Sequence, residues 1–478
     1  ITERDWNYGA GCESAYLSFD PNDPLLVYGG CYQGYIEVLN TKTNEVKDIQ
    51  AYPSLNLAIQ PKEMKYRFNW NAPIVTSIHN PKIIYHAGNV LLKTSNGGFN
   101  WEVISPDLTR NDKSKQGPGG IPFTNEGAGG ENYNTIFYVK ESPLDANTIY
   151  TGSDCGLVYV TTDAGKNWQN ITPVDLQESQ INSIEVSRFE QGVVYISATR
   201  YKFNDYASYT YKTTDNGKTW TKINNGIKND DFVKVIREDN KNKNILYAGS
   251  ERGFYISNDA GTTWKPFQLN LPIVPVTDLM IRDNDLVAAT AGRAFWILDD
   301  ISTIQQNANF NSISVPTIIT PKYAYKYGAG NGLPEKEATI GQNAPEGVII
   351  DYYLPKLGEK DTLSLTIISD QGKLIRTYTN VDDANYKKYP GGPSPKTKLS
   401  DNEGHNRFLW DFRTDDLSPD VNGAFVLGSY SGYAVPPGKY KAQLKYKKEI
   451  VETNITVLPN PNIKVSDLDW QEQQMLLE

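Results

Sequence analysis

The sequence predicts an all-β protein, most of which is a β-propeller. An eight-residue signature (hydroxyl, any residue, Asp or Asn, any residue, Gly, two residues, Trp) occurs four times, as TSNGGFNW, TTDAGKNW, TTDNGKTW and SNDAGTTW. Short strands and turns around it form six units, which begin at Glu13, Ala72, Asn134, Asn182, Phe232 and Val276. Units repeating at about 40 to 65 residues are typical of propeller blades, because one small sheet cannot cover both of its faces.

Each residue type in the signature has a structural reason. The Asp or Asn accepts backbone N–H bonds within its own turn, and the Gly takes the positive φ that closes the hairpin. The Trp is expected to fill the gap between neighbouring sheets. We therefore interpret Asp163, Asp215, Asp259 and Asn96 as structural residues, since a residue that recurs once per repeat serves each repeat in the same way.

The signature resembles the Asp-box, or BNR repeat, of sialidases, sortilin-like (VPS10-type) receptors and two-propeller xyloglucanases. The whole propeller segment resembles bacterial proteins labelled as BNR-repeat glycosyl hydrolases or as sortilin-like. This resemblance implies a secreted or cell-envelope propeller of a bacterium. It does not carry catalytic residues across, because the label "hydrolase" rests mainly on the repeat itself.

The six units predict a ring of six blades, or of seven if one blade comes from sequence outside this chain. The first and last units lack the signature, as terminal repeats often do. The segment Ile1–Gly11 looks like the tail of a preceding strand or a linker, which favours a part of a larger precursor. Insertions at Lys47–Trp70, Asp107–Glu131 and Tyr201–Tyr209 are expected to form loops on one face, where function collects.

After the propeller, assigned to residues 1–300, the pattern changes. Residues 301–322 are predicted to be a connector, and residues 323–460 a smaller β-sandwich with strands such as GVIIDYYL and NRFLWDFR. The motifs DQGKLIRTY, FLWDFR and PPGKY resemble the FlgD-like, immunoglobulin-type domain of secreted bacterial proteins. Residues 461–478 are predicted to begin a helix, since apolar residues there recur at helical spacing.

Composition narrows the possible partners. The net charge of -9 provides no broad basic face, which argues against nucleic acid and anionic lipid as partners, and no apolar run is long enough to span a bilayer. Cys12 and Cys31 are the most plausible disulfide pair among the three cysteines, leaving Cys155 over. We expect no metal and no cofactor: the three histidines make a zinc site improbable, and the Gly-rich loops at Gly117 and Gly127 lack a phosphate-binding context.

Aligning the units places one set of loop residues around one mouth of the propeller channel. The predicted ligand-binding residues are Gln33, Tyr35, Trp70, Tyr133, Asp154, Arg200, Tyr201, Glu251 and Arg293, with Asn89, Asn182, Asp231, Arg252 and Asp278 at equivalent places. Aromatic rings can stack on sugars or side chains, and arginine can bind carboxylates. The alternative for each residue is a solvated or bracing role in its own loop.

Two functions and a structural role remain open on this evidence. The first is a binding protein that recognises a polysaccharide, a peptide or a partner protein at the mouth. The second is a glycoside hydrolase with Asp154 and Glu251 as candidate catalytic carboxylates, or with Glu131, Glu185 or Asp231 as a partner, in the mouth or in a cleft against a second propeller. The third is a passive subunit of an envelope assembly.

Overall fold

A computed structural model describes residues 6–13, 16–54, 56, 58–124, 130–306, 315–327, 345–358, 361–419, 423–425 and 427–477. The chain divides into two compact units, Ile1–Leu298 and Asp299–Glu478. Several sequence-based interpretations fall partly outside the described residues, among them those on the tail Ile1–Gly11, on the insertions Lys47–Trp70 and Asp107–Glu131, on the loop at Gly127, on the connector 301–322, on the sandwich 323–460 and on the tail 461–478. The described part of the first, residues 6–11, contains no strand.

The first unit consists of six antiparallel sheets that follow one another along the chain, which we call blades 1 to 6. In each blade the strands pair in chain order. Blade 1 contains β1 (Leu17–Asp20), β2 (Asp23–Gly30), β3 (Ile36–Asn40) and β4 (Glu45–Asp48); blade 2 contains β5 (Ile74–Thr76), β6 (Ile84–Ala87), β7 (Leu91–Thr94) and β8 (Glu102–Val103); blade 3 contains β9 (Ile136–Ser142), β10 (Asp145–Ser153), β11 (Val158–Thr161) and β12 (Gln169–Asn170).

The remaining three blades continue the pattern, and the last of them is shorter. Blade 4 contains β13 (Gln180–Val186), β14 (Val194–Arg200), β15 (Asp205–Thr213) and β16 (Thr221–Lys222); blade 5 contains β17 (Val233–Glu238), β18 (Leu246–Ser250), β19 (Phe254–Ser257) and β20 (Lys265–Pro266); blade 6 contains β21 (Val276–Arg282), β22 (Asp285–Thr290) and β23 (Phe295–Leu298). Blade 6 therefore has three strands where the others have four.

The first strands of the blades lie side by side around one axis. Strand β9 packs on β13, β13 on β17, and β17 on β21. Side chains of four blades meet there: Glu185 lies 3.5 Å from Lys140 and 3.9 Å from Arg237, and Arg237 lies 2.6 Å from Asp278. The sheets thus radiate from a common centre, which confirms the predicted β-propeller.

The eight-residue signature, which resembles the Asp-box, lies in the hairpin between the third and fourth strands of blades 2 to 5. In blade 4 the Thr213 hydroxyl donates to Asp215 Oδ1 at 2.7 Å and accepts the N–H of Gly217 at 2.9 Å. Asp215 Oδ1 also accepts the N–H of Thr219 at 2.9 Å. Hydrogen bonds led by that from the Thr219 N–H lower the pKa of Asp215 to about 2. The Asp215 carboxylate therefore stabilises its own turn through these hydrogen bonds.

The Trp of each box joins its blade to the preceding one. Its indole N–H donates to the carbonyl of an isoleucine that follows the outer strand of the preceding blade. The four bonds are Trp101 to Ile49 (2.7 Å), Trp168 to Ile104 (2.8 Å), Trp220 to Ile171 (2.6 Å) and Trp264 to Ile223 (2.6 Å). A single residue type therefore fills the same gap, with the same hydrogen bond, at four successive blade interfaces.

The two terminal blades have exposed apolar faces. On blade 1, Leu17 and Phe19 are 56% and 45% exposed, and on blade 6 Met280 and Phe295 are 62% and 76% exposed. In the part of the chain that the structure describes, these faces are not buried by a neighbouring blade.

Near the start of blade 1, a disulfide joins Cys12 to Cys31, the pair that the sequence favoured, while Cys155 is a free, buried thiol.

The second unit is a β-sandwich of two sheets. One sheet has the order β24-β26-β29 and the other β25-β31-β30-β27-β28. The strands are β24 (Thr317–Ile318), β25 (Ala324–Lys326), β26 (Val348–Leu354), β27 (Leu363–Ser369), β28 (Leu374–Thr379), β29 (Gly404–Trp410), β30 (Gly438–Tyr446) and β31 (Glu449–Pro459), with helices α1 (Ser302–Gln306) and α2 (Asp467–Leu477).

Both sheets of the sandwich contribute to one core, in which Tyr352 and Trp410 from the first sheet pack with Leu365 and Leu444 from the second. The sandwich takes its first strand, β24, from the segment that the sequence suggested as a connector, and α1 also lies there. Within the described residues, neither helix combines the length and apolar character needed to cross a membrane.

Candidate functional site

The loops that enter the first strands and those that join second to third strands carry the predicted site residues. Trp70, in the loop entering blade 2, stacks on Tyr32 in the β2–β3 hairpin of blade 1, with ring centroids 5.4 Å apart and an interplanar angle of 19°. Trp70 is only half-buried. The two kinds of loop thus meet at the same end of the propeller, as the alignment of the units predicted.

Asp154 points into the protein and holds the loop entering blade 3. Its carboxylate accepts hydrogen bonds from the Thr135 N–H at 2.9 Å, the Thr135 hydroxyl at 2.7 Å and the Asn69 amide at 3.4 Å. The side chain is only 6% exposed. Burial raises the pKa of Asp154 to about 7, although the hydrogen bonds from Thr135 act in the opposite direction. A partly protonated carboxyl group near neutral pH therefore lies just beneath the mouth.

Three more predicted residues are engaged as braces. Tyr133 is buried and donates to Glu178 at 2.5 Å, Gln33 is buried and accepts the Asn56 N–H at 3.2 Å, and Tyr35 donates to Glu37 at 3.0 Å. These contacts stabilise the packing of the loops, and Tyr133 and Gln33 therefore have little exposed surface that a ligand could contact.

The Arg200 guanidinium also has partners within the protein. It donates to Asp205 at 2.9 Å and lies 5.1 Å from the centre of the Phe203 ring. Asp205 accepts the Tyr209 hydroxyl at 2.7 Å as well. This network closes the base of the inserted hairpin in blade 4 and fixes the position of the residues at its tip.

Tyr201 and Glu251 remain partly exposed. Tyr201 follows the second strand of blade 4, and Glu251 follows the second strand of the neighbouring blade 5. Tyr201 stacks on Phe232 with centroids 5.6 Å apart and an angle of 15°, and Tyr206 approaches the same ring at 6.3 Å. Glu251 pairs with Lys234 at 2.7 Å, and Lys234 lies 5.7 Å from the Phe232 ring centre. We call these five residues the aromatic shelf.

The shelf presents two exposed aromatic rings and a charge pair on a rigid base. Tyr201 and Tyr206 are 40% and 50% exposed, whereas Phe232 beneath them is buried. Burial, and then the negative charge of Glu251, raise the pKa of Tyr201. Such a surface combines apolar contact area with one donor and one acceptor group, a composition typical of recognition sites.

The other aligned residues also have partners within the propeller. Arg293 donates to the carbonyl of its neighbour Gly292 and is exposed on blade 6. The remaining partners are Asn89 with Arg67 and Asp107, Asn182 with Thr199, Asp231 with Arg252 and Tyr255, Arg252 with Asp230, and Asp278 and Glu185 with Arg237. Glu131 accepts the Thr124 hydroxyl with its carbonyl.

Sequence alignment alone missed three members of the shelf: Tyr206, Phe232 and Lys234. Signals for them existed, because Tyr206 lies in the insertion Tyr201–Tyr209, and Phe232 and Lys234 follow Asp231 at the entry to blade 5. Among the described residues, no three His, Cys, Asp or Glu side chains are grouped so as to hold a metal ion.

The pKa of Asp154 predicts a pH dependence of stability. Between the ordinary value of 3.8 and the raised value of about 7, the folded protein keeps a proton that the unfolded chain releases. The free energy of unfolding is therefore expected to decrease as pH rises through that window. Asp154→Asn removes this titration, so the variant should gain stability relative to the wild type from about pH 4 to about pH 7, measured by urea denaturation at several pH values.

A second buried carboxylate provides the control for that measurement. Burial also raises the pKa of Glu238 to about 7, but this residue contacts Ser187 and Arg188, away from Asp154. Glu238→Gln should remove its own contribution and leave that of Asp154. A constant stability difference between Asp154→Asn and wild type across the window would contradict the expectation.

Comparisons with known proteins agree with the fold. The family model described as "Sortilin, neurotensin receptor 3" matches residues 125–246 and 208–292, which extend from blade 3 to the second strand of blade 6. Comparison with curated protein sequences gave no significant match. The matched stretch is shorter than half of the chain and lies within the propeller.

Solved structures with a related architecture include YCF48 from Cyanidioschyzon merolae (12% identity, 59% of this chain and 80% of that chain, TM-score 0.40) and YCF48 bound to D1 peptide (17%, 62% and 84%, 0.41). A GH74 enzyme from Niastella koreensis is also similar (15%, 60% and 52%, TM-score 0.30). The chain is a β-propeller protein, and residues 125–292 of its propeller are similar to the sortilin family model.

Proposed function

We propose that the propeller is a binding module that recognises an extended polypeptide segment on the aromatic shelf. The observation that carries this proposal is the pairing of exposed Tyr201 and Tyr206 around buried Phe232, next to the Lys234–Glu251 ion pair. Tyrosines supply large contact area at low conformational cost, and the two charges can exchange partners with a peptide's own charged groups. The family model's description, which names a receptor, supports the same class of function.

Affinity selection on the immobilised full-length chain tests this proposal. A random peptide library and a panel of soluble polysaccharides serve as probes. We expect peptides to be enriched, and their binding to weaken at least about tenfold in Tyr201→Ala and in Tyr206→Ala, since these rings are expected to act as interface hot spots. Tyr327→Ala, which removes an exposed tyrosine of the second unit, is the control. The proposal would be overturned if peptide binding were unchanged in both shelf variants, or if the protein bound only polysaccharides.

A second candidate function is glycoside hydrolysis by Asp154 and Glu251. The observation in its favour is the pKa of Asp154 near 7, a value suited to a general acid. Against it stand the burial of Asp154 and its hydrogen bonds to Thr135. Release of reducing sugar from a glycan panel, lost in both Asp154→Asn and Glu251→Gln, would establish this function in place of simple binding.

We further propose that the protein works outside the cytoplasm, in the cell envelope or beyond it. The Cys12–Cys31 disulfide supports this location, because such bonds persist mainly in oxidising compartments. The second unit would then act as an immunoglobulin-type spacer or anchor for the propeller, as its resemblance to FlgD-like domains implies.

A further inference from the structure

Blade 6 differs from blades 2 to 5 in having three strands in place of four and in lacking a box tryptophan. In blade 5, Trp264 packs among Leu246 and Ala248 of β18, Tyr255 of β19 and Ile223 of the preceding linker, and it is only 3% exposed. This packing closes the outer part of the interface between blades 4 and 5.

Equivalent residues line an apolar groove at the next interface, between blades 5 and 6. The pairing of β22 with β23 places Ala288 opposite Trp296, just as Ala248 stands opposite Tyr255. The N–H of Phe267 bonds to Phe254, as that of Ile223 bonds to Thr210. Phe267, Leu286, Ala288 and Trp296 thus repeat the setting of Trp264, with Leu269 and Leu271 at the rim. The space above these residues, part of which is open to solvent, amounts to about 430 Å³.

The groove lies beside an open strand edge. In blade 5, β19 pairs with the fourth strand β20, through Tyr255 opposite Pro266 and Ile256 opposite Lys265. Strand β23 pairs with β22 alone within the described residues. Leu298 stands opposite Leu286 as the first box residue Ser257 stands opposite Leu246, and the sequence that begins at Leu298 does not match the signature. No indole of the described residues donates to the Phe267 carbonyl, whereas Trp264 donates to that of Ile223.

We propose that this groove and the edge of β23 form a binding site for an extended segment of a separate polypeptide. The segment adds a fourth strand to blade 6 and inserts a tryptophan side chain into the groove, with its indole N–H on the Phe267 carbonyl. Main-chain pairing supplies affinity and the side-chain groove supplies specificity, as in other cases of β-strand addition. The choice of tryptophan rests on four other blades that fill the same position with it. The site is separate from the aromatic shelf.

A synthetic peptide with the sequence of residues 257–266 tests the proposal, because the same sequence fills the equivalent position in blade 5. Labelled peptide is titrated with the full-length chain and followed by fluorescence polarisation. We expect saturable binding that weakens at least about tenfold when the peptide's Trp264 is replaced by alanine, and that persists in the Tyr201→Ala protein. Absence of saturation up to about 1 mM, a free energy of about −4 kcal/mol, would overturn the proposal.

Two matched substitutions in the protein show whether the groove is the site. Ala288→Leu fills the groove, so it should abolish peptide binding without lowering the melting temperature. Ala248→Leu puts the same side chain against Trp264, where no room remains, and should lower the melting temperature through overpacking. Unchanged peptide binding by Ala288→Leu would overturn the site. Self-association of the chain that is lost in Trp6→Ala would instead assign the groove to a second copy and overturn the choice of a separate polypeptide, since Trp6 is 74% exposed.

Discussion

Replacing Trp264 with alanine is expected to lower the free energy of unfolding of the propeller by about 3–5 kcal/mol. Trp264 is almost completely buried, and its indole N–H donates to the Ile223 carbonyl at 2.6 Å. The substitution would leave a large cavity between blades 4 and 5 and an unpaired buried carbonyl group. Urea denaturation of the full-length chain, followed by tryptophan fluorescence and circular dichroism together, measures the loss.

A conservative substitution separates packing from hydrogen bonding at this position. Trp264→Phe keeps much of the buried volume but removes the indole N–H, so it should cost less than the alanine variant, with about 1 kcal/mol of the loss from the hydrogen bond. If Trp264→Ala cost no more than Trp264→Phe, the tryptophan would not be the packing element that joins the two blades.

Replacing Gly98 with alanine should cost about 2–5 kcal/mol, because two unfavourable effects act together. Gly98 has φ +88°, where a side chain is strained. A Cβ atom at this position would also lie 2.4 Å from Cβ of Ile49 in blade 1. The rigid backbone of the outer strand of blade 1 limits relaxation, so overpacking adds to the backbone strain.

The preceding residue supplies a matched control within the same turn. Gly97 also has a positive φ, +70°, but a Cβ there would have no atom within 4 Å. Gly97→Ala should therefore show the backbone strain alone, about 1 kcal/mol. The comparison uses the midpoint of urea denaturation of the two variants. Equal losses would mean that the close approach to Ile49 has no energetic weight.

The Asp-box shows how much a short sequence can determine. Thr213, Asp215 and Gly217 bond to one another and to the backbone of a single turn, so their roles depend on neighbours within a few residues. The number of blades in the chain could be predicted for the same reason, whereas the structure shows that the hairpin joins the third and fourth strands. The tryptophan's role between sheets was also predictable, because a large apolar residue in each repeat needs a partner sheet.

The mouth was harder to predict, because alignment places residues at equivalent positions without saying which way each side chain points. Asp154 stands in register with Glu251, and Tyr133 lies in a loop that enters a first strand, but both Asp154 and Tyr133 are buried by hydrogen bonds with other loops. Long-range packing decides that difference. Phe232, which no motif marks, carries the shelf because it lies between two tyrosines of an insertion from the preceding blade.

The sequence by itself determined the blade repeat, the chemistry of its hairpins and the change of architecture near residue 300, since all three depend on local pattern. Only the tertiary structure decided which mouth residues remain exposed and that the missing box tryptophan of blade 6 leaves an apolar groove. The apolar groove at Phe267 and Ala288 illustrates the reason. Strands and linkers that are far apart in sequence form it together, and the burial of each side chain depends on all of them at once.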